Sequence, residues 1–302
     1  MFLEIFAGRA CFGDIAVSEE LRGWSWRNPP VAPLLNEVKL GVWEISSLYC
    51  ETRRDIYLRR VLKVKSKPSQ SMLKGKAVHS LIVSVLKEFK KLLLMGAGSG
   101  SELYISLLDK RKQIIAEILK KIPVNHDFSP KLTQLYNFLV LQFSAEYDRL
   151  LSEAPEHVRP RIPEQFSEII SERIVDGSRV GLSSWLMIDV YVPPTAIVEV
   201  KTGARREFHK LGLAGYALAI ESSERTPINQ GQLLYVYLNN GVHLLRKIIE
   251  IDDELRREFL EERDRLMEII YNERDPGLAG SCPRTCPFYY YCRGEEYEEI
   301  DS

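Results

Sequence analysis

Two runs of β-branched and apolar residues flank Pro193-Pro194-Thr195 in the stretch Leu186–Lys201, LMIDVYVPPTAIVEVK, and nothing else in the chain restricts its fold as tightly. The pattern is that of a two-stranded hairpin. With the turn centred on Pro194, Asp189 faces Glu199, Met187 faces Lys201, Val190 faces Val198 and Ile188 faces Val200. A side-chain period of two then puts Ile188, Val190, Val198 and Val200 on one face and Asp189, Glu199 and Lys201 on the other. Directly opposed side chains sit roughly 4.5–5.5 Å apart at Cβ, and like charges so placed destabilise a sheet. Two facing carboxylates therefore want a cation between them. A hard divalent ion such as Mg²⁺ or Mn²⁺ meets that need through oxygen ligands. Lys201 can then orient a water or neutralise charge developing on a phosphate. The same residues also suit a plain solvated face of an antiparallel sheet, so the rest of the chain has to decide.

The 302 residues are 45% hydrophobic, enough for a substantial core, and the formal net charge of −1 excludes a chain that is basic overall. A nucleic-acid partner would need a local basic patch. Met1–Cys11 shows no signal pattern, and the longest apolar run, in Leu81–Met95, is broken by Lys and Glu, well short of the ~20 residues of a membrane span. A cytoplasmic protein is expected. Cysteines stand at 11, 50, 282, 286 and 292. An odd count argues against a disulfide framework, and three within eleven residues argue for metal.

Met1–Lys39 has no regular pattern. Val42–Val64 reads as a basic helix capped at Ser46 or Ser47, with Cys50 in its first turns and Arg53, Arg54, Arg59 and Arg60 on a solvated face. Ser71–Leu94 keeps apolar residues at helical spacing, and Gly75 and His79 share one face of it. Glu102–Ile122 and Pro130–Glu153 are two further helices. Glu168–Ile174 and Arg179–Leu182 look like strands. Arg205–Glu221 reads as a helix opening with Arg205, Arg206, His209 and Lys210 and carrying Tyr216, which would bring cations to a phosphate. Asn239-Asn240-Gly241 marks a second hairpin, and Asp252–Asn272 a charged, mostly exposed helix. Cys282, Cys286 and Cys292 would close a soft-metal site if Cys50 supplied a fourth thiolate; zinc and an iron–sulfur cluster both fit. Cys11 is left over as a plain buried residue.

The ordered set Cys50, Gly75-x-x-x-His79, Asp189, Glu199-Val-Lys201, Tyr216, Cys282, Cys286 and Cys292 resembles the RecB-like nucleases of the PD-(D/E)xK superfamily that carry an iron–sulfur cluster. Among them it is most similar to the CRISPR-associated Cas-four exonucleases of the archaeal type I-A branch. The resemblance implies an α/β nuclease core, a mixed central sheet flanked by helices. It implies that His79, Asp189, Glu199 and the carbonyl of Val200 hold Mn²⁺ or Mg²⁺, that Lys201 assists the attacking water, and that Tyr216 positions DNA. It implies further that Cys50, Cys282, Cys286 and Cys292 hold a [4Fe–4S] cluster, [2Fe–2S] in some relatives. The expected activity is removal of nucleotides from single-stranded DNA ends, trimming fragments for CRISPR spacer acquisition beside the Cas-one and Cas-two integrase proteins. Two departures stand out. The family's usual glutamine four residues before the helix tyrosine is Gly212 here, and the first pair of C-terminal cysteines is separated by three residues instead of two. The first departure raises the alternative of a non-catalytic DNA-binding subunit of the adaptation complex. The expected organisation is an N-terminal extension at 1–40, the first part of the nuclease at 41–95, a helical insertion at 96–160, the nuclease core at 161–275 and a cluster-binding segment at 276–302.

Overall fold

A computed structural model describes residues 15–66, 68–193 and 196–294. Nine helices lie in the described residues: α1 Val42–Ser46, α2 Arg54–Arg60, α3 Gln70–Leu94, α4 Gly100–Lys121, α5 Ser129–Glu153, α6 Ile162–Ser167, α7 Leu211–Glu224, α8 Asp253–Tyr271 and α9 Tyr289–Arg293. Five strands, β1 Ile170–Val175, β2 Leu186–Val192, β3 Ala196–Thr202, β4 Gln230–Tyr237 and β5 His243–Glu250, form one sheet in sequence order. All neighbours are antiparallel except β3 and β4, which run parallel. A parallel step needs a crossover, and α7 supplies it. The mixed sheet flanked by helices is the expected α/β architecture. No helix among the described residues is long and apolar enough to cross a membrane.

Each face of the sheet carries its own core. Val190, Val192, Ala196, Val198, Val200, Leu234 and Val236 join α3, α4, α5 and α6 in one cluster. Tyr191, Ile197, Leu233 and Tyr235 join α1, α7, α8 and the segment from Leu21 to Leu40 in the other. Helix α7 is apolar nearly all round, with Leu211–Gly215 and Ala217–Ser222 buried, the pattern of a helix covered on every side. The second hairpin forms as its sequence demands: Gln230 pairs with Glu250 and Tyr237 with His243, and Asn240 and Gly241 take positive φ in the turn.

Several local expectations fail for identifiable reasons. The run Arg179–Leu182 is not a strand. Ser178–Val180 is a single 3-10 turn, Gly181 is left-handed, and Leu182 makes only an isolated parallel bridge to Leu40. The helix read across Val42–Val64 is two helices, with Cys50 in the turn between them. Arg53 takes φ 67° there, and its buried guanidinium donates to the carbonyls of Glu44, Ile45 and Ser47. Those are the open carbonyls at the end of α1, so the arginine ends the helix that its position in sequence would extend. Nor is Arg53 solvated: it pairs with Glu262 at 2.7 Å. Helix α8 also departs from a solvated charged face. Arg256 and Arg263 are fully buried. Arg263 donates to the carbonyls of Pro30, Val31, Ala32 and Val180, which binds the irregular N-terminal segment to the core. The helix expected over Arg205–Glu221 begins with a 3-10 turn, Glu207–Lys210, and becomes α-helical only from Leu211.

Candidate active site

The β2–β3 hairpin has the register read from sequence as far as it is paired: Val190 with Val198, Tyr191 with Ile197, Val192 with Ala196. Residues Pro194 and Thr195 at its turn lie outside the described residues. The pairing stops at Asp189. Val190 and Val192 belong to one core, but Leu186 and Ile188 belong to the other, so the alternation of side chains breaks between 188 and 190. Ile188 therefore does not share a face with Val190, Val198 and Val200, as strict alternation requires. On the other side of β2, Ser171 and Arg173 pair with Val190 and Ile188 while Glu172 between them takes φ 54° and is unpaired. Irregularities of this kind re-aim side chains at functional sites.

What the break aims is the Asp189 carboxylate. It is not a directly opposed cross-strand partner of Glu199. Its Oδ2 accepts the backbone N–H of Val200 at 2.8 Å, replacing a ladder partner, and its Oδ1 lies 3.3 Å from Nδ1 of His79 on α3. Gly75, one turn before His79, faces Thr202 at the end of β3, where a Cβ would stand 2.9 Å from the Thr202 hydroxyl. A glycine at this place lets the helix lie against the strand and carries His79 to the hairpin. Glu199 is buried, and its Oε2 has Lys201 Nζ at 3.1 Å but no well-directed hydrogen-bond donor. His79, Asp189, Glu199, Val200 and Lys201 line one cavity of ≈ 230 Å³.

Charge in this cavity is set by burial and by the neighbours. Burial pushes the Glu199 carboxyl up; Lys201 opposes the shift and Asp189 adds to it. Burial also acts to raise Asp189, but His79, the Val200 N–H and Lys201 outweigh it and hold that carboxyl below the usual range. Desolvation alone would lower His79 and Lys201, but Asp189 raises the first and Glu199 the second. Tyr216 on α7 is pushed well above the ordinary phenol range by burial and by the charges of Glu199 and Asp189, and it lines the neighbouring cleft, not this cavity. An imidazole and two carboxylates, one with a buried oxygen short of donors, form a donor set that suits a hard divalent ion. Among the described residues no three His, Cys, Asp or Glu side chains already converge at metal-coordinating distances, so the fit is one of donor type and placement.

Trp43 and Tyr49 reach the cavity with no signature in the sequence, whereas His209, read there as one of the cations opening a helix, is buried and held toward its neutral form instead. Trp43 of α1 lines it, as do Tyr49 and His209. Tyr49 and His209 form a chain with Tyr235: the Tyr49 hydroxyl lies 3.1 Å from His209 Nε2, and the Tyr235 hydroxyl 3.1 Å from Nδ1. Residue 49 adjoins Cys50, the one hint that this turn reaches the site. Burial, with Lys201 and Arg206 nearby, pushes His209 down to about 4. The folded state thus refuses a proton that the unfolded chain accepts below the ordinary histidine value of about 6.5. That stability is present above about pH 6.5 and is lost as pH falls toward 4, by roughly 3 kcal/mol at ~1.36 kcal/mol per unit. His209→Gln is expected to flatten this part of the profile, read as melting temperature between pH 7 and 4.5 against the unaltered protein.

Cys50 lies in the α1–α2 turn, and Cys282, Cys286 and Cys292 in the C-terminal segment. Burial raises Cys286 and Cys292, and each also feels Cys50 and Cys282. Arg54 holds the segments together, with a bidentate pair to Asp275 and a contact of 3.7 Å to Cys292 Sγ. Thr52 donates to the Gly277 carbonyl at 2.8 Å. Four thiols from two segments, with a cation beside them and none in a disulfide, suit a thiolate-ligated cluster. Cys11 lies outside the described residues.

A family model for CRISPR-associated exonuclease Csa1 matches residues 7–295. The chain belongs to the Csa1 family of CRISPR-associated exonucleases. CRISPR-associated exonuclease Csa1 of Saccharolobus solfataricus is 35% identical over 288 residues, covering 91% of this chain and 92% of that one. The Csa1 of Thermoproteus tenax is 29% identical over 286 residues, 93% of each chain. A crystal structure from Eubacterium rectale overlaps 87% of this chain and 90% of its own at 15% identity and a TM-score of 0.46; the assignment rests on the sequence relatives. In this Csa1 chain Gly212 has a local explanation. A Cβ there would meet Glu199 Oε2 at 2.8 Å, Oε1 at 3.1 Å and the carboxyl carbon at 3.2 Å. The Glu199 carboxylate packs against the bare backbone of α7, so a side chain at 212 would displace it. Gly212→Ala is expected to keep the fold, since alanine favours helix by about 1 kcal/mol. It is also expected to slow DNA cleavage by about 10–100-fold, because displacements near 1 Å cost that much; single-turnover rates on one DNA substrate check both Gly212→Ala and Gly212→Gln.

Proposed function

We propose that this Csa1 protein is a metal-dependent nuclease that hydrolyses DNA phosphodiesters from single-stranded ends, trimming fragments for spacer acquisition beside the Cas-one and Cas-two integrase proteins in the cytoplasm. The observation that carries the reading is the convergence of His79, Asp189, Glu199 and Lys201 in one cavity at the point where the β2–β3 hairpin parts. His79, Asp189, Glu199 and the carbonyl of Val200 would hold Mn²⁺ or Mg²⁺, which supplies Lewis-acid polarisation of the phosphate and a water of lowered pKa. The chain's own groups do the rest. The Val200 N–H and His79 fix the Asp189 carboxylate, so its lone pairs point in a set direction. Lys201, kept protonated by Glu199, orients the attacking water and faces the charge that builds on the phosphate oxygens. Tyr216, kept protonated by burial and by the same carboxylates, can donate to the DNA. Arg206 near His209 and Arg205 near Tyr235 add two exposed cations. Cys50, Cys282, Cys286 and Cys292 would hold a [4Fe–4S] cluster that ties the α1–α2 turn to the C-terminal segment.

The test is degradation of end-labelled single-stranded DNA by anaerobically purified protein, with Mn²⁺ or with EDTA, beside its visible absorption spectrum. Label released only with metal, from a brown protein, is the expected result. A brown protein that binds DNA and never cuts it overturns the nuclease reading in favour of an accessory subunit, and a colourless one overturns the cluster.

A further inference from the structure

A second cleft, of ≈ 670 Å³, opens beside the catalytic cavity, in the size range of ligand sites. Trp43 lines both. Tyr216, whose phenol feels Glu199 and Asp189, lines the cleft, as does Met187, two residues before Asp189 on β2. The two spaces are thus neighbouring parts of one surface. Two tryptophans stand open in this cleft: Trp185 is 67% exposed and Trp43 51%. Large exposed rings of this kind mark a binding surface when they are grouped and not scattered.

The charges of the cleft identify its occupant. Lys39, Arg59 and Arg60 line it against a single acid, Glu44. Glu44 is already paired with Arg60 at 3.0 Å. Arg59 lies over the Trp43 ring at 5.0 Å and over Phe288 at 5.3 Å, with its buried Nε lacking a hydrogen-bond acceptor and Asp55 one turn away. Flat aromatic faces between cations are what an unpaired polynucleotide needs: bases stack on rings while phosphates lie along the cations. A duplex keeps its base faces covered and cannot use the tryptophans.

We propose that this cleft is the track for the unpaired nucleotides next to the bond being cut, with Trp185 and Trp43 stacking on bases and Lys39 and Arg59 meeting phosphates. The proposal rests on the nuclease reading and adds what makes that site prefer single strands. It is tested by fluorescence anisotropy with a labelled oligo-dT and with a labelled blunt duplex, both in EDTA so that nothing is cut. Trp185→Ala is expected to weaken single-strand binding by about 5–150-fold, the range of one lost base–ring stack, and to leave duplex binding, set by phosphate contacts, unchanged. Trp185→Phe is expected to stay within a few-fold of the unaltered protein. Trp185 is mostly exposed, so its truncation leaves folding intact, and an unchanged melting temperature confirms that. Single-strand affinity unchanged in both Trp185→Ala and Trp43→Ala overturns the track. Cutting by the unaltered protein is scored separately with Mn²⁺. A protein that cuts while both tryptophan variants bind normally loses only the track. One that binds single strands through Trp185 but never cuts keeps the cleft as a single-strand site and loses the nuclease reading on which its role beside a cut bond rests.

Discussion

Lys201→Ala is expected to lower the single-turnover rate of DNA cleavage by about 10²–10⁴-fold, with DNA affinity changed far less, because a positioned proton-carrying group acts mainly on the transition state. Lys201 Nζ lies 3.1 Å from Glu199 Oε2, and Glu199 in turn keeps the ammonium charged. On the proposed mechanism, removing the lysine takes away both the donor that would orient the water and the cation that would face the phosphate. The visible spectrum should not change, since the four cysteines are not among the residues lining the cavity. Cleavage at the unaltered rate in Lys201→Ala removes the hairpin lysine from the mechanism.

Glu221→Ala is expected to cost about 3–5 kcal/mol of stability, the range for breaking a buried ion pair from one side. Glu221 is fully buried, at the C-terminal end of α7, and accepts from five donors. Arg22 Nη1 lies at 2.8 Å, Gly23 N at 2.8 Å, Ile228 N at 3.0 Å, and the two terminal nitrogens of Arg256 at 2.8 and 2.9 Å. Truncation leaves the fully buried Arg256 without its acid and releases the N-terminal segment from α7. At roughly 2–4 °C per kcal/mol, the melting temperature should fall by about 6–20 °C. A loss below about 1 kcal/mol in denaturant titration would show that the N-terminal segment is not held by this carboxylate.

These two residues show how unevenly the chain could be read. The β2–β3 register, the second hairpin, α3, α4 and α5 and the Glu199-Val-Lys201 strand follow from periodicity and turn residues, because each is decided by neighbours within a few positions. Glu221 could not be found that way. Arg22 and Arg256 are 199 and 35 residues from it, and a charged residue late in a helix reads as solvated. Arg53, Arg256 and Arg263 fail for the same reason: their acceptors are carbonyls and acids brought up by tertiary packing. In the site, Asp189, Glu199 and Lys201 were legible, but the break in alternation at Asp189 was not, since it depends on Glu172 in β1 and on the Val200 N–H. Gly212 departs from the family pattern, and only the structure shows that the Glu199 carboxylate packs against its bare backbone. Tyr49 and His209 reach the cavity through a turn and a 3-10 segment that carry no period at all.

The parted end of this hairpin is proposed to hold a divalent ion. The most direct measurement is equilibrium binding of Mn²⁺, followed through the signal of the free ion in electron paramagnetic resonance, to the unaltered protein and to Asp189→Asn and Glu199→Gln. One ion per chain in the unaltered protein, with affinity lost in both variants, is the predicted result; the same stoichiometry and affinity in all three proteins would contradict it.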